Sequence, residues 1–335
     1  MTQTVLPMTT ATGFGPLPEI LADASGAPAV GRTFRRAGLP EALIHDRRMR
    51  LPLEAMVGLF AQGAEIAGDR LLGLRVGQAM NPSAYGLWIE HAMEAGTLRS
   101  AIRRLSWGVG LHQSGSEVLL TRLRGRWIFG YRVQRFANVD PRAHIDHVVP
   151  SMLKIVRRFA GAAWRPGWVG LPYAGDPGAG ALAQAIGAEV RFACPYLMIP
   201  VSSAVLDRAR PVGPAAHDAR PLTRSDVVAH AGVRPFHAVT AVEDCIQLEL
   251  LAGRCGVETV AQRLGLSTRS LQRTLSQEGT SFSDILDRIR RVKAAELLAS
   301  PDMRVGSVAL ALGYSDPSNF TRAYKRWTGT APTVT

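Results

Sequence analysis

One short pattern occurs twice towards the end of this chain, and it restricts the fold of that region more than any other feature. The first copy reads VETVAQRLGLSTRSLQRTL over residues 257–275, and the second VGSVALALGYSDPSNFTRAY over 305–324. Ala261 and Ala309 each stand four residues before a glycine, Gly265 and Gly313. A small side chain lets two helices approach, and glycine tolerates a tight bend between them. Each copy is therefore expected to be a helix, a turn and a second helix.

In the first copy Ser267 stands where an N-cap belongs, placed to accept from the backbone N–H of Arg269 or Ser270. Leu271 and Leu275 then form one stripe, and Arg269, Gln272 and Arg273 point roughly opposite. Arginine can donate two parallel bonds to guanine and glutamine can pair bidentately with adenine. The N-terminal half of the second helix of a helix-turn-helix is the part that meets base edges; away from such a motif the same residues are solvated surface. In the second copy Asp316 is the N-cap, Pro317 the first helical residue, and Phe320, Tyr324 and Trp327 the buried stripe. Arg322 matches Arg273 by spacing and joins the base-reading set. Ser267, Ser270, Ser318, Thr321, Lys325 and Arg326 are expected to dock on phosphate and sugar. Between the copies, Ser281 with Asp284 resembles a capping box, and Phe282, Ile285, Leu286, Ile289 and Val292 continue one long helix.

Composition limits the alternatives. The 335 residues suffice for about two domains, and 47% apolar with 20% charged residues describe an ordinary globular chain. The net charge of +12 suits a polyanionic partner. It does not single out the repeat half, because residues 220–335 carry 15 Lys plus Arg against 11 Asp plus Glu, and residues 1–219 carry 24 against 16. Three cysteines without CxxC spacing imply reduced thiols. With neither a signal peptide nor an apolar run of about 18 residues, a cytoplasmic protein with no membrane contact is expected.

Upstream, residues 1–13 are Thr-rich and read as a mobile tail. Helical spacing runs from 14 to about 79, with Leu53, Met56, Val57 and Phe60 on one face. Two basic connectors, RTFRRAGLP and HDRRMRLP, end in Pro40 and Pro52, and their arginines are expected to be solvated surface. EVLLTRLRGRWIFGYRVQRF, residues 117–136, alternates about Arg124 and Gly125 and reads as a hairpin. Trp127, Phe129, Tyr131 and Val133 share one of its faces, the first three being the candidate ligand-pocket residues; packing core is the other reading. His144 and His147, three apart on a helix, lack a third ligand at fitting spacing, so no metal is expected and solvated or hydrogen-bonded imidazoles are. Strand-like pieces at 168–171, 189–194 and 196–201 mix with helices without strict βαβ alternation. The proline-rich stretch after residue 208 marks a boundary. The expected fold is an α+β N-terminal domain (14–208), a linker (209–235) and an all-α C-terminal domain (236–335) with two helix-turn-helix units joined by a long helix.

The string from VAQRLGLSTRSLQRTL through LGYSDPSNFTRAYKRWTGTAP resembles the DNA-binding domain of the AraC/XylS family of bacterial transcription regulators, over residues 240–332. The family usually has an aromatic and an arginine soon after the terminal proline, where this sequence has Thr333, Val334 and Thr335. TLRSAIRRLSWGVGLH and FACPYLMIPVSSAVLDRARP are similar to the regulatory domain of the subgroup related to the ornithine-utilisation and mycobacterial virulence regulators. The resemblance implies an arabinose-binding-like domain that senses a small-molecule effector and assists homodimerisation. It also implies a reader of double-stranded promoter DNA that contacts RNA polymerase when it activates. No cofactor is implied. The rival reading is a DNA-repair-type enzyme with a cysteine alkyl acceptor, for which Cys194 is the candidate; its FACPY setting has no adjacent histidine or basic residue to form a thiolate. No GxSxG, phosphate loop or HExxH is present, and no catalytic residue is assigned.

Overall fold

The structure, a computed structural model, describes residues 7–211, 220–231, 237–253, 255–300 and 303–333. In chain order the elements are β1 (Met8–Thr10), α1 (Leu17–Ser25), α2 (Ala27–Arg36), β2 (Arg50–Pro52), α3 (Leu53–Ala67), α4 (Leu72–Ala79), α5 (Leu87–Met93), α6 (Leu98–His112), β3 (Ser116–Leu123), β4 (Arg126–Val133), α7 (Arg142–Ala160), β5 (Trp168–Gly170), α8 (Ala179–Ile186), β6 (Glu189–Arg191), β7 (Leu197–Val201), α9 (Ser203–Leu206) and α10 (Arg224–Ala231). The repeat half supplies α11 (Ala238–Leu251), α12 (Val257–Arg263), α13 (Thr268–Gln277), α14 (Phe282–Leu298), α15 (Val305–Ala311) and α16 (Pro317–Thr328). The chain divides into two compact units. One holds Pro7–Gly38 and Leu53–Arg234; the other holds Leu39–Pro52 with the described residues from 237 onward.

The first unit is α+β. Its mixed five-stranded sheet has the order β3-β4-β7-β5-β6, with β5 and β6 parallel and the other pairs antiparallel. β3 and β4 form the expected hairpin. Arg124 and Gly125 both have positive φ (47° and 81°), as the two-residue turn that matches strand twist requires. Alternate residues of β4 and β7 face α5, α6 and α7, and Trp88, Leu105, Phe129, Val149, Phe159 and Ile199 belong to one apolar cluster. Thr97 caps α6 by accepting from the Ser100 N–H at 3.2 Å. α4 lies almost in backbone contact with α7. A Cβ on Gly73 would stand 1.9 Å from the Ala143 carbonyl oxygen, and one on Gly77 2.1 Å from that of His147. Only glycine permits this approach, which fixes the side of α7 that carries His144 and His147.

Three boundaries differ from the sequence reading. Residues 7–13 of the supposed tail are structured: Met8 is fully buried, and the Thr9 hydroxyl donates to Gln113 Oε1 at 3.1 Å; residues 1–6 lie outside the described residues. Part of the supposed linker belongs to the first unit, since α10 buries Val227 and the Leu222 N–H donates to Glu94 Oε2 at 2.8 Å. Residues 39–52, assigned by sequence to a contiguous 14–208, group with the repeat half.

The reason lies on α11. The sequence reads it as amphipathic, yet almost every residue from Thr240 to Leu250 is buried, including Glu243, Asp244 and Glu249. Buried carboxylates need partners, and each faces an arginine: Arg288 of α14 for Glu243, Arg50 for Asp244, and Arg263 of α12 for Glu249. Arg50 is thus no solvated side chain; it is 13% exposed, with Nε 3.3 Å from Asp244 Oδ2. The helix-turn-helix units follow expectation. Ala261 and Ala309 are buried, and Gly265 and Gly313 turn at φ 66° and 74°. Leu271 and Leu275 are buried in the first unit, each stabilising it by about 1.5–3 kcal/mol. Phe320 and Ala323 are buried in the second, with Tyr324 and Trp327 half-buried beside them. The Ser281–Asp284 capping box starts α14, whose 17 residues run from one unit to the other. Arg290 of α14 donates to the carbonyls of Leu312 (2.9 Å) and Gly313 (3.3 Å) and lies 4.1 Å over the Tyr314 ring, fastening the second turn.

Candidate DNA-binding face and ligand cavity

Ser267 caps α13, accepting from the Ser270 N–H at 3.1 Å. Arg269, Gln272 and Arg273 follow as an exposed face opposite Leu271 and Leu275, and among the described residues none of their side chains has a hydrogen-bond or ion-pair partner. Their donors are therefore available to another molecule. The second unit is more constrained. Asp316 caps α16 through the Ser318 N–H at 2.9 Å. Arg322 is exposed but donates to Asn319 Oδ1, and the Thr321 hydroxyl donates to the Pro317 carbonyl at 3.1 Å. Arg326 is ion-paired with Asp287 of α14 at 2.6 Å, and the Ser267 and Ser270 hydroxyls bond each other at 2.9 Å. Ser318 and Lys325 remain exposed. Asn319, which the sequence reading passed over, aims Arg322; its signal was the i, i+3 spacing on the exposed face.

The α+β unit contains a partly open cavity of about 80 Å³. α7 lines it with His144, His147, Val148, Ser151, Met152 and Ile155, α6 with Leu105, Val109 and His112, and β4 with Phe129 and Tyr131. Thr9, Gly13 and Met56 also reach it. Phe129 and Tyr131 thus face the cavity, while Trp127 lies outside its lining, with the Arg99 guanidinium 4.7 Å over its ring. The period-2 alternation found the face; the end of β4 that reaches the cavity depends on where α6 and α7 cross it.

The histidines are buried, not solvated. His147 Nδ1 lies 2.6 Å from the His144 carbonyl, so it carries the proton, and Nε2 accepts from the Tyr85 hydroxyl at 3.2 Å. His112 Nδ1 bonds the Thr10 hydroxyl at 2.7 Å. Burial pushes His112 and His147 down to about 4 and His144 well below its ordinary value, so all three are neutral at pH 7. Asp146 turns the other way, to Arg70 at 2.5 Å and to the Tyr173 hydroxyl. Among the described residues no group of three histidines, cysteines or carboxylates could hold a metal ion.

Nor is there an activated thiol. Burial raises Cys194, Cys245 and Cys255, the last to about 11, so all three are protonated at pH 7. Among the described residues no helix is long and apolar enough to cross a membrane.

Comparison with known proteins matches both halves of the chain. Residues 29–209 match the arabinose-binding domain of AraC transcription regulators, and residues 260–335 match a helix-turn-helix domain. The HTH-type transcriptional regulator VirS of Mycobacterium tuberculosis is 24% identical over 301 residues, covering 89% of this chain and 88% of that protein. The ornithine utilization regulator of Pseudomonas aeruginosa is 26% identical over 274 residues, 80% of this chain and 78% of that protein. Among solved structures, the transcriptional regulator CdpR of Pseudomonas aeruginosa aligns over 78% of this chain and 85% of that one, with 21% identity and a TM-score of 0.39. Both curated relatives are named as regulators. With an arabinose-binding-type N-terminal domain spanning more than half of its length and a helix-turn-helix domain after it, this chain belongs to the AraC family of DNA-binding transcription regulators.

Proposed function

We propose that this regulator is a ligand-responsive activator that reads its promoter site through α13 and docks through α16. The observation that carries the reading is the exposed trio Arg269, Gln272 and Arg273, free of partners among the described residues on a helix whose opposite face is buried. Phosphate contacts supply most of the affinity and are insensitive to sequence. Arg269, Gln272, Arg273 and Arg322 supply discrimination; Ser318 and Lys325 dock on the backbone. The partners already spent by Ser267, Ser270, Thr321 and Arg326 favour positioning roles for them. The protein acts as a homodimer and meets RNA polymerase at the promoter. An effector in the N-terminal cavity shifts it between two states by no more than its differential affinity for them.

Genome-wide DNA footprinting with and without metabolite extracts tests this. The expected result is a small set of protected sites whose occupancy or transcription changes with one extract. Uniform protection that salt abolishes equally everywhere would contradict it.

A further inference from the structure

We propose that the N-terminal cavity selects a neutral, largely apolar small molecule carrying one or two hydrogen-bonding groups, and rejects carboxylates, zwitterions and polyols. This rests on the reading of that domain as the effector-sensing half. Three observations carry it. Among the described residues no Asp, Glu, Lys or Arg lines the cavity, so an ionised ligand would be buried without a countercharge, an arrangement proteins avoid. The histidines do not supply that charge, because they are buried together, His144 and His147 with ring centroids 5.0 Å apart, and are neutral.

The polar groups of the wall, moreover, are largely engaged with one another. Tyr85 donates to His147, Thr10 bonds His112, and Gln113 joins Thr9 to Tyr131. A polyol would meet few open partners, and its unmatched hydroxyls would lose their water. Two polar atoms of the lining are left over among the described residues, His144 Nδ1 and the Oγ of Ser151, about two turns further along α7. His144 is 2% exposed, and its Nδ1 has no hydrogen-bond partner among the described residues. A buried nitrogen of this kind marks where one ligand hydroxyl, N–H or carbonyl is received. Size narrows the class further. A cavity of about 150 Å³ holds benzene, so at about 80 Å³ even a single ring requires Met56 and Met152, the flexible members of the wall, to shift.

Calorimetry and thermal melting of the full-length protein with benzyl alcohol, benzoate and L-arabinose test this directly, since the first two differ chiefly in the charge of one group. The expected result is saturable binding of benzyl alcohol, at least tenfold tighter than either of the others, lost in Val109→Trp, which fills the cavity. In His144→Phe the preference for benzyl alcohol over toluene should fall severalfold. The wild-type comparison stands whether or not these variants fold. Benzoate or L-arabinose binding as tightly as benzyl alcohol overturns the assignment. Native mass spectrometry after incubation with a metabolite extract separates the two levels. A retained anion or polyol that Val109→Trp releases overturns the ligand class and leaves effector sensing standing. If no retained molecule and no probe shifts the melt, both fall.

Discussion

Arg50 and Asp244 face each other at 3.3 Å, with 13% and 7% of their side chains exposed, although almost two hundred residues separate them in the chain. The pair places the basic stretch before α3 in the same compact unit as the helix-turn-helix repeats. Removing one member of a buried ion pair leaves the other charge uncompensated, at a cost of about 3–5 kcal/mol. Arg50→Ala and Asp244→Ala should each destabilise the C-terminal unit by about that much, and the double variant by less than their sum. Urea unfolding followed by Trp327 fluorescence measures it, and strict additivity would show that the two side chains do not interact.

Gly77 and Gly73 hold α4 against α7. A methyl group at Gly77 would sit 2.1 Å from a backbone oxygen that cannot swing away. Gly77→Ala should therefore cost about 3 kcal/mol and disturb the cavity wall at His147. Gly110, also helical, has open space where a Cβ would stand, with nothing within 4 Å, and Gly110→Ala should be neutral or stabilise by about 0.5–1 kcal/mol. Paired thermal melts decide between the two behaviours.

The buried imidazoles give the N-terminal unit a defined acid sensitivity. Their folded pKa values lie below the unfolded value near 6.5, so the unfolded chain binds more protons in between. Stability is then complete above about pH 6.5 and lost as the pH falls towards the values of about 4 for His112 and His147. The groups facing them, Tyr85, Trp88, Thr10 and Phe60, are uncharged and do not oppose this. A melting midpoint that stays level from pH 7 to 4.5 would contradict the burial.

Cys194 is a protonated, half-buried thiol whose Sγ lies 3.6 Å from the Arg191 carbonyl. Cys194→Ser should leave DNA affinity and transcriptional response within twofold of wild type in a reporter assay. Loss of a covalent modification along with the cysteine would revive the enzymatic reading.

The repeat half was legible because its constraints are local. Capping residues, turn glycines and the Leu271/Leu275 stripe act within a few positions of one another, and spacing reveals them. The hairpin was legible for the same reason, through Arg124 and Gly125. What escaped depends on contacts between distant segments. Nothing near Arg50 distinguishes it from the neighbouring arginines, and only Asp244, far along the chain, makes it a buried partner. The threonines after Met8 look like a tail until Gln113 and His112 receive them. The spacing of Gly73 and Gly77 on α4 was present in the sequence as a sign of close helix packing, but its partner α7 was not.

Base reading by α13 is tested by the DNA affinity of Arg273→Ala, measured side by side on the footprinted site and on a scrambled duplex of the same length at fixed salt. The expected result is a loss of about 1–3 kcal/mol on the footprinted site, relaxed preference at one base position, and little change on the scrambled duplex. Equal weakening on both would contradict it, and would reduce Arg273 to a phosphate contact.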